Sequence, residues 1–161
     1  MLESEDTIQN IVFDELYIGR SASLSRTLTK EDIIAFAAVS GDVNPVHVDP
    51  EYADHTPFHG VIAHGMWAAA LISRLLGTSL PGPGTIYLEQ TLQFLKPVHI
   101  GDRLRVTATV TTMDAVKRHV TLNCEIRNQT GAQVLTGVAT VIAPAEKVRR
   151  ARARLQQPSL S

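Results

Sequence analysis

Apolar and polar positions change their period twice along this chain. Residues 21–28 alternate small or polar side chains with apolar ones, the period-two pattern of a strand. Thr29 then stands where a helix cap belongs, with Glu31 and Asp32 in a first turn favoured by the helix dipole. Ile33, Ile34, Phe36, Ala37 and Val39 continue that helix, and Ser40-Gly41 stop it. A polar loop over 41–45 follows, in which Pro45 cannot continue a helix. Asp49 caps one helical turn over 50–54, with Pro50 at its first position. Residues 64–80 make a second long helix. From Met66 to Leu76 only Ser73 and Arg74 are polar, so it is apolar nearly all round and has to be wrapped by other elements.

Pro81-Gly82-Pro83-Gly84 ends that helix, and the period returns to two. Residues 85–95, 103–112, 120–128 and 134–142 are four strand-like runs rich in Thr, Val, Ile and Leu. Gln129-Thr130-Gly131 between the last two reads as a tight hairpin. Short separators favour antiparallel neighbours. The fold class is therefore α+β: an antiparallel sheet with the apolar helix lying in its concavity.

Length and charge narrow the picture. The chain has 161 residues, 44% hydrophobic and 19% charged, enough for one domain with a sizeable core. Residues 1–146 carry 10 Lys/Arg against all 16 acids, a net of −6, whereas residues 147–161 carry five Lys/Arg and no acid. An N-terminal arm (1–14), a domain body (15–146) and a basic C-terminal tail (147–161) are expected, the arm loose and the tail solvated. A near-neutral total argues against a nucleic-acid or membrane-surface partner. The single Cys124 excludes an internal disulfide framework and fits a reducing compartment. The acidic, polar first ten residues do not read as a signal peptide, and no apolar run approaches a bilayer span, so a cytoplasmic location is expected.

Polar information is densest between Asp42 and His64. Asp42 and His47 place a carboxylate and an imidazole around a loop stiffened by Pro45, while Asn44 can bond local backbone groups. Acid/base chemistry needs such a pair near one reacting centre, although caps and turns use the same residue types. His64-Gly65 opens the apolar helix. Its first N–H groups are unpaired and electropositive, so Gly65 would let a substrate carbonyl approach closely, or would simply permit close packing. Ser73, two turns further on, falls on the same side, or else bonds back to its own helix. His55 and His59 have i, i+4 spacing, but Pro57 breaks the register that a zinc site on a helix would need, and no metal is expected. Cys124 lies in a strand-like alternation as a small hydrophobe, and no Gly-x-Ser-x-Gly elbow, Walker sequence or dinucleotide loop occurs.

Gly41-Asp42-Val43-Asn44-Pro45-Val46-His47, preceded by Phe36-Ala-Ala-Val-Ser40, resembles the hydratase-2 motif of the MaoC-like family. Ile62-Ala-His-Gly-Met66, Leu80-Pro-Gly-Pro-Gly-Thr-Ile-Tyr-Leu88 and Phe94-Leu-Lys-Pro-Val98 extend the resemblance over roughly residues 15–143. It implies a hot-dog fold, with a curved antiparallel sheet around a long central helix, and a homodimer. It also implies (R)-specific enoyl-CoA hydratase activity, of the kind that feeds polyhydroxyalkanoate synthesis from fatty acids: syn addition of water to a trans-2-enoyl thioester. In this resemblance Asp42 and His47 match the catalytic pair. Gly65 matches the amide that polarises the thioester carbonyl, Ser73 matches a serine near the site, and Asn44 holds the loop. The substrate is an acyl-CoA thioester; no metal or redox cofactor is implied, CoA being part of the substrate. Glu89 departs from the pattern, standing where relatives commonly have glycine, and would bring a charge to the acyl pocket or its rim. Other thioester chemistries of the fold, hydrolysis or acyl-carrier-protein dehydration, and a non-catalytic acyl-CoA binding module are the alternatives; the Asp42–His47 pair favours hydration.

Overall fold

Alternation in the last third of the chain becomes three long antiparallel strands: β5 (Arg103–Asp114), β6 (His119–Arg127) and β7 (Gln133–Ile142). The computed structural model describes residues 6–156. Before these strands come β1 (Thr7–Gln9), β2 (Ser21–Thr27), α1 (Lys30–Ser40), α2 (Pro45–Val48), α3 (Pro50–Asp54), α4 (Gly65–Thr78), β3 (Ile86–Gln90) and β4 (Gln93–Phe94); β8 (Arg149–Ala151) follows them. The main sheet runs β2-β5-β6-β7-β3, all neighbours antiparallel, with β4 also on β7.

One face of this sheet supplies the core. Leu104, Val106, Ala108 and Val110 of β5, Val120, Leu122, Cys124 and Ile126 of β6, and Leu135, Ala139 and Val141 of β7 are buried. Alternate residues such as Arg103 and Arg105 face water, as a one-sided antiparallel sheet requires. Trp67, Ala68, Leu71, Ile72, Leu75 and Leu76 of α4 belong to the same buried cluster. Each large apolar side chain removed from water contributes about 1.5–3 kcal/mol, which is what holds α4 to the sheet. The α+β expectation, an antiparallel sheet around a central helix, is met. The wrapping is incomplete, however. Met66, Ala70, Ser73, Arg74 and Gly77 form an exposed stripe at helical spacing, because the sheet curves around only part of the helix.

Local signals explain α1. Thr29 Oγ1 accepts from the Asp32 N–H (3.1 Å) and the Asp32 carboxylate accepts from the Thr29 N–H (3.2 Å), a reciprocal capping box. Arg26 pairs with the nearly buried Asp32 from the adjoining strand. The run 85–95, expected as one strand, is broken into β3 and β4. A Cβ on Gly137 of β7 would lie 2.0 Å from the Thr91 carbonyl oxygen, so the chain folds onto that glycine at the break. Thr91 is fastened there through its N–H to the Val138 carbonyl (2.9 Å) and its hydroxyl oxygen, which accepts from the Val138 N–H (3.0 Å).

The two chain ends differ from the sequence reading. Within the arm expected over 1–14 and the tail expected over 147–161, β1 and β8 pair with each other, Thr7 opposite Ala151 and Gln9 opposite Arg149. Opposite charge supports this: Lys147 bonds Glu15 (2.7 Å) and Arg154 pairs with Asp6. The Lys147 ammonium holds the Glu15 carboxyl below its usual range. Asn10, 0% exposed, donates to the Pro83 (3.0 Å) and Glu146 (2.8 Å) carbonyls and accepts from the Val148 N–H (3.0 Å). The parts of those two segments at 1–5 and 157–161 lie outside the described residues.

Candidate active site

The polar loop after α1 is built from a relay of short-range bonds. Gly41 ends the helix at φ +76°, a left-handed conformation that favours glycine. Ser40 Oγ–H donates to the Phe36 carbonyl (2.6 Å), and the same oxygen accepts from the Asp42 N–H (3.1 Å). Asp42 Oδ1 accepts from the Asn44 N–H (3.2 Å), and Asn44 Oδ1 accepts from the Val46 N–H (3.3 Å). Asn44 is thus the cap of α2, its side chain joining the loop to the helix. Pro45 starts this helix where the sequence reading had only a loop; its ring cannot continue a helix but suits the first helical position. One turn later α2 presents His47, 9% exposed.

His47 Nδ1–H donates to the Ile62 carbonyl at 2.7 Å. A carbonyl only accepts, so the proton sits on Nδ1 and Nε2 is left with a free lone pair in the neutral ring. His64, the cap residue of α4, donates through Nε2–H to the Asp42 carbonyl at 2.9 Å. Its ring stacks on His47 with centroids 3.8 Å apart and planes inclined by 25°. Phe36 packs on His64 at 5.0 Å and 51°. Asp42, His47 and His64 each bring a carboxylate oxygen or ring nitrogen within 4.8 Å of the others. The carboxylate and imidazole expected to act together do converge, although Asp42 is exposed.

Such a trio is also what a metal ion would look for. Each ring spends one nitrogen on a carbonyl, as metal-bound histidines also do, but near-parallel stacked rings direct their remaining lone pairs along separate planes rather than towards one point. That geometry suits proton transfer better than chelation. His55 and His59 are not in the trio: His55 Nδ1–H is taken by the Glu51 carbonyl (2.7 Å), and His59 sits at φ +53°.

A cavity of about 390 Å³ opens beside the histidines, lined by His47, His64, Gly65, Phe58, Phe94 and Lys96 among others. Gly65 is the first residue of α4, where backbone N–H groups have no intrahelical acceptor and the dipole is positive. His47 and the helix start therefore share one space. Ser73 does not line it; it lies on the exposed stripe of α4. Glu89 does not line it either: it is exposed on β3, opposite Thr140. His64 is the residue that sequence reasoning passed over as a mere neighbour of Gly65. The available signal is four histidines within 18 residues, 47–64, of which the metal reading above takes up only His55 and His59.

Residues 17–131 match the MaoC like domain family. The chain is 47% identical over 135 residues to an (R)-specific enoyl-CoA hydratase of Rhodospirillum rubrum, covering 83% of this chain and 92% of that protein. It is 44% identical over 129 residues to an (R)-specific enoyl-CoA hydratase of Aeromonas caviae, covering 80% and 96%. Among solved structures, the unliganded R-hydratase PhaJ1 from Pseudomonas aeruginosa superposes with a TM-score of 0.91 at 45% identity, covering 96% of this chain and 99% of that one.

Proposed function

This chain belongs to the MaoC-like domain family and has its hot-dog fold, and from that premise we propose that it is an (R)-specific enoyl-CoA hydratase acting on trans-2-enoyl-CoA. The observation that carries the reading is the approach of the Asp42 carboxylate to the imidazoles of His47 and His64, within 4.8 Å, beside a cavity that His47 shares with the first residue of α4.

The chemistry follows from that placement. An enoyl thioester becomes electrophilic at Cβ when charge developing on its carbonyl oxygen is stabilised, and the amide end of α4 at Gly65 offers unpaired donors for it. The lone pair on His47 Nε2 takes a proton from water as the water oxygen bonds to Cβ. Asp42, a carboxylate that accepts only, orients this water. The Cα–Cβ π pair moves to the enolate; the enolate then collapses to the thioester as Cα takes that proton from the His47 imidazolium, on the face where the water added. Hydrogen and hydroxyl thus add to one face, and the face turned towards His47 sets the (R)-3-hydroxyacyl configuration. General acid–base assistance of this kind contributes about 10²–10⁴-fold. No metal or redox cofactor is needed, since CoA arrives as part of the substrate.

A homodimer belongs to the same proposal. Met66 is 56% exposed on the open stripe of α4, and Ile86, Tyr87 and Leu88 are exposed on the outer strand β3, surfaces that a second copy would cover. The test is the hydration of crotonyl-CoA: loss of enoyl absorbance, no thiol release, and the R product by chiral analysis. Thiol release without hydration, or binding without turnover, overturns the reading.

A further inference from the structure

We propose that His64 is a positioning residue for both members of the catalytic pair, an inference that rests on the hydratase reading above. Its side chain is 3% exposed. It touches three parts of the site at once. Its Nε2–H holds the Asp42 carbonyl at 2.9 Å and so pins the loop that carries the carboxylate. Its ring centroid lies 3.8 Å from that of His47, and the stack fixes the plane of the base, whose other restraint is the 2.7 Å bond to Ile62. Its own backbone leads directly into Gly65, so the loop, the base and the helix start are tied through one residue.

Packing alone does not account for a histidine here. A leucine or phenylalanine would fill the space without burying ring nitrogens, yet His64 Nδ1 is buried with no hydrogen-bond partner among the described residues. Burying an unsatisfied nitrogen is a cost, and native structures tolerate it where the group serves another purpose. Here the purpose is to hold two reacting groups of separate elements in register, where a displacement of about 1 Å lowers rate by about 10²-fold.

The experiment uses three variants in the crotonyl-CoA assay. His64→Phe keeps a ring against His47 but no donor; His64→Gln keeps an N–H within reach of the Asp42 carbonyl but no ring; His64→Leu keeps neither. The expected result is kcat lowered about 10–100-fold in each of the first two and further in the third, with KM held within about threefold. Phe and Gln variants that are folded and keep kcat within about twofold of the parent overturn the inference. Should the variants fail to fold, nitrogen-15 NMR of the parent protein's histidines decides: a proton on His64 Nε2 and on His47 Nδ1 supports it, and the opposite tautomers overturn it. A parent chain that does not hydrate crotonyl-CoA overturns the hydratase reading itself; an active parent with equally active variants overturns this inference alone.

Discussion

The Phe94 ring rests directly on Gly65: a Cβ on that glycine would stand 2.8 Å from Phe94 Cε1 and 3.1 Å from Cδ1. The small residue at the head of α4 therefore makes room for an aromatic neighbour and, in the proposed mechanism, for the thioester as well. Gly65→Ala should change stability by less than about 1 kcal/mol, because alanine's helix preference is offset by the contact with Phe94, which the exposed ring relieves by shifting. Activity should fall about tenfold or more as the methyl crowds the cavity. Adding Phe94→Leu, which removes the clash, should restore part of kcat/KM. Thermal melts and crotonyl-CoA kinetics on the single and double variants decide it; equal activity of G65A with and without Phe94 would refute the steric account.

Asp42→Asn and His47→Asn separate chemistry from folding. The first keeps an oxygen for the Asn44 N–H; the second keeps an N–H towards the Ile62 carbonyl but deletes Nε2. Each should lower kcat about 10²–10⁴-fold. For Asp42→Asn at this exposed position, stability should stay within about 0.5 kcal/mol. Steady-state rates paired with urea unfolding provide the check, and wild-type turnover by either variant removes its assigned role.

Local chemistry is why α1 and α4 were legible in the sequence. Thr29 and Asp32 cap within one turn, and Met66 to Leu76 is apolar enough to demand a core. The alternation of β5, β6 and β7 likewise reports a one-sided sheet. What could not be read depends on contacts between distant positions. The break at Thr91 answers to Gly137, and the order at Gln9 answers to Arg149. Ser73 shows the limit of helical spacing, which gives a residue's direction but not which face the sheet leaves open. Asp42, His47 and Gly65 carried a motif; His64 matters through a ring stack, which no spacing rule encodes.

Alkaline pH should weaken the fold through the sheet core. Burial pushes the Cys124 thiol up from 9.0 to about 11. The thiol is held neutral in the folded chain and ionises sooner when the chain unfolds. Its stabilisation is thus complete below pH 9 and is lost as pH rises through about 11. Urea midpoints measured from pH 8 upward should fall beyond pH 9, and Cys124→Ala should flatten the first part of that fall. A flat profile in the parent protein would contradict the burial seen here.

Asn10 is the polar centre of the terminal seam. Replacing it with alanine leaves the Pro83 and Glu146 carbonyls and the Val148 N–H without their partner. The expected loss is about 2–3 kcal/mol in chemical denaturation. Kinetics with crotonyl-CoA should be unaffected at temperatures where the variant is folded, since none of these groups lines the cavity.

The pairing of β1 with β8 also sets an order of events during synthesis. Every strand of the main sheet precedes β8 in the chain, so all of them have been made before Ala151 is added. Thr7–Gln9 therefore waits for a partner made after the sheet's last strand, and this seam can close only once the main sheet's strands all exist.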